Sequence, residues 1–145
     1  MSLQFHPKKG QIILCDFSRG FEEPEMVKAS RPVIVLCNQL PGRADLVTIV
    51  ACSTKPPNVL CNHHYRLPRA SLPMLGRFQK DDTWVKGDMV YTVGLQRLSL
   101  IQLNSRHPTT GKRQYFQNCL GREQMRQIQC CILHGLQMGH LSDHV

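Results

Sequence analysis

A chain of 145 residues, 41% hydrophobic and 19% charged, is long enough to bury one core without disulfides or metals and too ordinary in composition for wholesale disorder. Eighteen Lys and Arg against ten Asp and Glu leave a net charge of +8, which favours an anionic partner such as nucleic acid, an acidic protein or a membrane surface. A membrane role is set aside, because no apolar run approaches spanning length and the opening MSLQFHPKKG lacks the apolar centre of a signal peptide. A cytoplasmic protein is expected.

The chain reads mostly as short strands. Residues 11–17 (QIILCDF) follow Gly10 as the first. Residues 19–30 carry Gly, Pro and a run of charge, and read as a long, mobile surface loop with Glu22, Glu23 and Glu25. The second strand, residues 32–38, begins with the apolar run of Arg31-Pro32-Val-Ile-Val-Leu36. Proline stiffens the entry of that strand and biases the residue before it toward an extended backbone. Residues 46–52 (LVTIVAC) form the third strand, reached through Pro41-Gly42-Arg43. A Pro-rich loop over residues 55–58 precedes the alternating segment 63–67 (HHYRL), and residues 84–93 are a further strand interrupted by Gly87. Apolar positions crowd residues 96–103, and residues 104–113 read as a polar loop.

Only the last quarter has helical periodicity. From residue 123 to 136, Met125, Ile128, Cys131, Ile132 and Leu136 fall on one face, predicting a helix packed on a sheet. Residues 139–145 are expected to fray. Several short strands closed by one helix predict a mainly β protein, a small barrel or curled sheet, in a single domain spanning residues 1–145 with its core at about 8–138.

Seven cysteines (15, 37, 52, 61, 119, 130 and 131) cannot all pair, and none forms a CxxC. Cys15, Cys37 and Cys52 fall in apolar strand runs, where free cysteine acts as a small buried hydrophobe, and reduced thiols are expected throughout. Cys61, His63 and His64 superficially resemble a metal cluster. Adjacent histidines on a strand point to opposite faces, so no metal site and no cofactor are expected.

The residues able to do chemistry lie at strand ends. Arg31 stands at the mouth of a stiff strand, where its donor fork suits paired phosphate oxygens. Ser53, Thr54 and Lys55 follow the third strand; the hydroxyls can donate to phosphate or satisfy the strand-end backbone. Lys86-Gly87-Asp88 sets a carboxylate and an ammonium beside a residue without a side chain. No Walker loop, GxSxG elbow, HExxH helix or dinucleotide fingerprint is present. RNA phosphodiester cleavage needs little more than these groups, since the ribose 2′-hydroxyl is a built-in nucleophile.

In their order along the chain, these segments resemble the PemK/MazF/Kid toxins of type II toxin–antitoxin systems. Lys9-Gly10-Gln11-Ile12-Ile13-Leu14 resembles the opening Gly-(Asp/Glu)-Ile strand, residues 28–36 the approach to the Arg-Pro-hydrophobic strand, residues 50–54 the strand ending in Ser/Thr, and residues 84–98 (WVKGDMVYTVGLQRL) the segment with a basic residue, an Asp, Thr-Val and Arg-Leu. The resemblance implies a curled antiparallel sheet of SH3-like barrel type (CcdB/Kid/MazF-like) with a C-terminal helix. It implies a homodimeric, metal-independent endoribonuclease that cuts single-stranded RNA to 2′,3′-cyclic phosphate and 5′-hydroxyl ends. A cognate antitoxin with an acidic, partly disordered tail would neutralise it.

By the same resemblance, Arg31 stabilises transition-state charge and donates a proton to the leaving oxygen. Ser53 or its neighbour Thr54 bonds the scissile phosphate, Asp88 is a candidate base, and Lys28, Lys55 and Lys86 contact RNA. The slot before Arg31-Pro32 holds Ala29-Ser30 where many members carry a histidine, Lys86 stands where others carry arginine, and Ala51 stands where proline is usual. These departures bear chiefly on the general base. The alternative is a non-catalytic member of the fold that binds nucleic acid or poisons a protein target, as the related gyrase-poisoning toxins do.

Overall fold

The computed structural model describes residues 2–145. Eight strands build it: β1 (Ile12–Asp16), β2 (Ser30–Cys37), β3 (Leu46–Ser53), β4 (His64–Arg66), β5 (Trp84–Gly94), β6 (Leu98–Ser99), β7 (Ile101–Arg106) and β8 (Arg113–Phe116). A short helix α1 (Gly76–Lys80) precedes β5, and α2 (Arg122–Gly135) follows β8. Six strands form one antiparallel sheet in the order β4-β5-β3-β2-β1-β6, while β7 and β8 pair as a separate hairpin. The sheet is curled but open, since β4 and β6 are edges that do not pair with each other. The expected fold class is therefore found, with an open sheet in place of a closed barrel.

The central strands are buried on both faces, and their alternation divides the core in two. Ile12 of β1, Ile34 of β2, and Val50 and Cys52 of β3 face a cluster completed by Phe78 of α1, Ile101 and Phe116 of the hairpin, and Met125 and Ile128 of α2. The intervening residues Ile13, Cys15, Val33, Val35, Val47, Ile49 and Ala51 face a second cluster with Leu3, Phe17, Met26, Val93 and Leu98. The period of two along a strand makes this division. Ile128, on the inner face of α2, is wholly buried. Ile128→Ala is expected to destabilise the protein by about 2–5 kcal/mol, read as a lower urea midpoint at unchanged slope; an unchanged midpoint would mean that α2 does not close this core.

The start of α2 is held from outside the helix. The Gly121 N–H donates to the Gln124 side-chain carbonyl at 2.8 Å, and the Gln124 amide donates to Ser71 Oγ at 2.8 Å.

Several expectations are corrected. The loop between β1 and β2 is tied down: Phe21 packs edge-on against Phe17 and Tyr91, Met26 is buried, and the Tyr91 hydroxyl donates to the Glu25 carbonyl at 3.3 Å. Arg97 adds a further tether, donating to the Asp16 carbonyl at 3.0 Å and lying over the Phe21 ring. Residues 104–106 belong to β7, so the expected polar loop is the turn of a hairpin. Residues 139–144 form a 3-10 helix against α2, where the Cys130 thiol donates to the Ser142 carbonyl at 3.8 Å. All seven cysteines are free, but Cys37 is only half-buried.

Candidate active site

Three strands bring the basic and polar residues to one end of the sheet. Val33 stands opposite Ala51 in the β2–β3 pairing, and continuing that register by two residues sets Arg31 against Ser53. Ser53 in turn pairs with Trp84 at the start of β5. The β3–β5 ladder then breaks: Val50 faces Val90 while Cys52 faces Val85, so two steps along β3 match five along β5. The surplus is a bulge over residues 86–89, which turns Lys86 and Asp88 out of the ladder, as bulges do beside functional sites. The bulge is anchored by the Gly87 N–H, which donates to the His63 carbonyl at 2.7 Å.

These groups converge on a cleft of about 410 Å³, whose wall includes Lys28, Arg31, Ser53, Lys55, Lys86 and Asp88. Six of the seven site residues expected from sequence thus meet in one place. Thr54, half-buried beyond the end of β3, does not line the cleft. A cleft of about 700 Å³ at the start of α2, bounded by Lys9, Arg122 and Arg126, is larger but holds none of them.

Arg31 is the unusual member. Its residue is only 9% exposed, its Nε is buried without a hydrogen-bond partner, and among the described residues no carboxylate forms an ion pair with it. A buried N–H left without an acceptor is costly, and an anion entering the cleft would relieve that cost. Ser53 Oγ accepts the Lys55 N–H at 3.1 Å, which leaves its own O–H to donate elsewhere. Lys86 is held below the ordinary lysine range, first by partial burial and then by Arg31, with Asp88 opposing. Its ammonium therefore gives up a proton more readily than a solvated lysine does.

A thiol nucleophile is excluded at the neighbouring cysteine. Burial pushes the Cys52 thiol up to about 12, against a smaller opposite pull from Arg31.

His64 also lines the cleft and was not among the expected site residues. Its register partner is Lys86, so the pairing of β4 with β5 carries it there. The sequence signal was the alternation of residues 63–67, which identifies a strand without saying which strand it joins. His64 is held below the ordinary histidine value, mainly by burial and then by His63 and Lys86, with Asp88 opposing. Its Nδ1 accepts the Cys61 N–H at 3.0 Å.

The expectation that His63 and His64 point apart is also corrected. His63 lies in the turn before β4, where strand alternation does not apply, and the two ring centroids are 4.1 Å apart. His63 Nε2 stands 3.8 Å from Asp88 Oδ1.

Residues 8–134 match the family of PemK-like, MazF-like toxins of type II toxin–antitoxin systems. The chain belongs to that family. It is 24% identical over 151 aligned positions to YifN, an uncharacterised protein of Escherichia coli K12, covering 94% of this chain and 95% of that one. Its fold is shared with an endoribonuclease solved in complex with its cognate antitoxin from a mycobacterial species, at TM-score 0.56 and 17% identity over 91% of this chain and 96% of the other. The Mycobacterium tuberculosis toxin MazF-mt6 aligns at TM-score 0.55 and 12% identity, covering 88% and 97%. No helix among the described residues is long and apolar enough to cross a membrane.

Proposed function

We propose that this protein is a metal-independent endoribonuclease toxin that cleaves single-stranded RNA, messenger RNA included, in the cleft around Arg31. The observation that carries this reading is the buried Arg31 without an anionic partner, set among Lys28, Lys55 and Lys86. Membership of the toxin family and the fold shared with an endoribonuclease support it.

In the proposed reaction the ribose 2′-oxygen attacks phosphorus and the bond to the 5′-oxygen breaks, leaving a 2′,3′-cyclic phosphate and a 5′-hydroxyl. Arg31 steadies the negative charge that grows on the non-bridging oxygens, and the Ser53 hydroxyl donates to one of them. Asp88 takes the 2′-hydroxyl proton. Lys86, made more acidic by its surroundings, returns a proton to the leaving oxygen. This assignment moves proton donation away from Arg31, because a guanidinium is too weak an acid for the task. Thr54 has no part in it.

The basic cleft suits two anionic partners, RNA and the acidic tail of a cognate antitoxin, which would compete for the same groups. A homodimer and a cytoplasmic location are part of the same proposal. The test is incubation of purified protein with a mixed-sequence RNA in EDTA, with identification of the product ends. Cyclic-phosphate and 5′-hydroxyl ends are expected; intact RNA, or ends bearing a 5′-phosphate, would overturn the reading.

A further inference from the structure

We infer that Cys61, His63 and His64 form a binding site for a borderline-soft divalent cation of the zinc class at the rim of the cleft. One ligand atom from each residue lies within 4.8 Å of the other two. Ligands of a tetrahedral ion at zinc–nitrogen and zinc–sulfur distances sit about 3.3–3.8 Å apart. The remaining closure requires the exposed Cys61 side chain to turn away from the Val59 carbonyl, to which its thiol donates at 3.5 Å. All three residues belong to one tight turn, closed by the His64 N–H donating to the Cys61 carbonyl at 3.1 Å, so no distant element must move.

A thiolate with two imidazoles selects zinc over magnesium or calcium, which demand oxygen. The surroundings add two further features of such sites. Asp88 Oδ1 stands 3.8 Å from His63 Nε2, and a small approach would let the carboxylate accept the remote N–H of an imidazole bound to metal through Nδ1. Cys130, Cys131 and His134 line the adjoining cleft together with Cys61 and His64, so the turn looks onto more soft donors from α2. Loading His64 through Nδ1 would exchange the Cys61 N–H bond for a coordinate bond. The released N–H meets water, because Cys61 is exposed.

Occupancy has a consequence that rests on the ribonuclease proposal. A bound ion polarises the His63 ring toward Asp88 and holds His64 at the cleft wall, engaging the proposed base. Zinc therefore slows RNA cleavage without being needed for it.

The experiment titrates Co2+ into metal-free, reduced protein and follows its absorption. One equivalent is expected to give tetrahedral ligand-field bands with a thiolate-to-cobalt charge-transfer band, lost on Zn2+ addition and in Cys61→Ser. Absence of the charge-transfer band, or its survival in Cys61→Ser, would overturn the site. Wild type and Cys61→Ser are expected to cut RNA equally in EDTA, since Cys61 does not line the active-site cleft. One equivalent of Zn2+ is expected to slow only the wild type, by about tenfold or more, because engaging a general base puts a contribution of order 10²–10⁴ at stake. Equal cleavage with and without Zn2+ would overturn the coupling. If neither protein cuts RNA in EDTA, the ribonuclease proposal falls, and the cobalt spectrum still decides the site.

Discussion

Arg31→Ala is expected to lower kcat/KM for RNA cleavage by about 10²–10³, the usual loss when one preorganised donor to a developing oxyanion is removed. The same substitution is expected to leave the thermal midpoint unchanged or higher. Truncating a buried side chain normally destabilises, but Arg31 contributes a cation whose Nε is buried without a partner and which pairs with no described carboxylate. Removing a buried N–H that lacks an acceptor offsets the lost packing. Opposite signs for activity and stability are what a binding residue predicts and a core residue does not. Arg31→Lys should recover only part of the rate, because a point charge cannot bond two phosphate oxygens through a planar fork. Retention of more than about a third of the wild-type rate in Arg31→Ala would remove the basis for charge stabilisation by Arg31. A large fall in midpoint would instead place Arg31 in the fold's scaffolding.

Much of this arrangement was legible in the sequence, and the parts that were not share a cause. β1, β2, β3, β5 and α2 were readable because each satisfies its own periodicity: the β-branched runs of the strands, or the stripe of Met125, Ile128 and Cys131. The hairpin was missed from Asn104 onward, where β7 leaves the core and its exposed Asn104, Ser105 and Arg106 resemble a polar loop. The helix α1 is one turn long, with Phe78 its only buried residue, too short to display a period.

Arg31 and Ser53 could be found because each sits at the end of a strand that its own sequence defines. His64 could not, because its place depends on β4 pairing with β5, a long-range contact that residues 63–67 do not encode. Cys61, His63 and His64 were separated on paper by a rule for strands. In the structure, Cys61 and His63 precede β4. Local patterns therefore supplied the cationic half of the cleft, and tertiary pairing supplied its imidazole.

Gly87→Ala is expected to be the most damaging single-methyl change in the molecule. A Cβ at this position would lie 2.6 Å from the carbonyl carbon of Cys131 on α2 and 2.8 Å from the His63 carbonyl oxygen. Both obstacles are backbone, so no side chain can rotate away. The requirement is close approach rather than backbone conformation, since Gly87 is not among the glycines with positive φ. Gly135 makes the reciprocal contact, where a Cβ would stand 2.7 Å from the Gly87 carbonyl oxygen and 2.8 Å from the Asp88 nitrogen.

The two glycines thus seat α2 directly on the bulge that presents Lys86 and Asp88. Overpacking here is expected to cost about 3 kcal/mol, the upper end for an added methylene in a tight core. The helix must lift or the bulge must shift, so RNA cleavage should fall together with stability, unlike the split expected for Arg31→Ala. Gly87→Ala and Gly135→Ala should each lower the urea midpoint. The double variant should lose clearly less than the sum, because lifting α2 once makes room for both methyls. Additive losses would mean that the two glycines do not report one contact, and undiminished cleavage in a destabilised Gly87→Ala protein would detach the bulge from the chemistry assigned to Asp88.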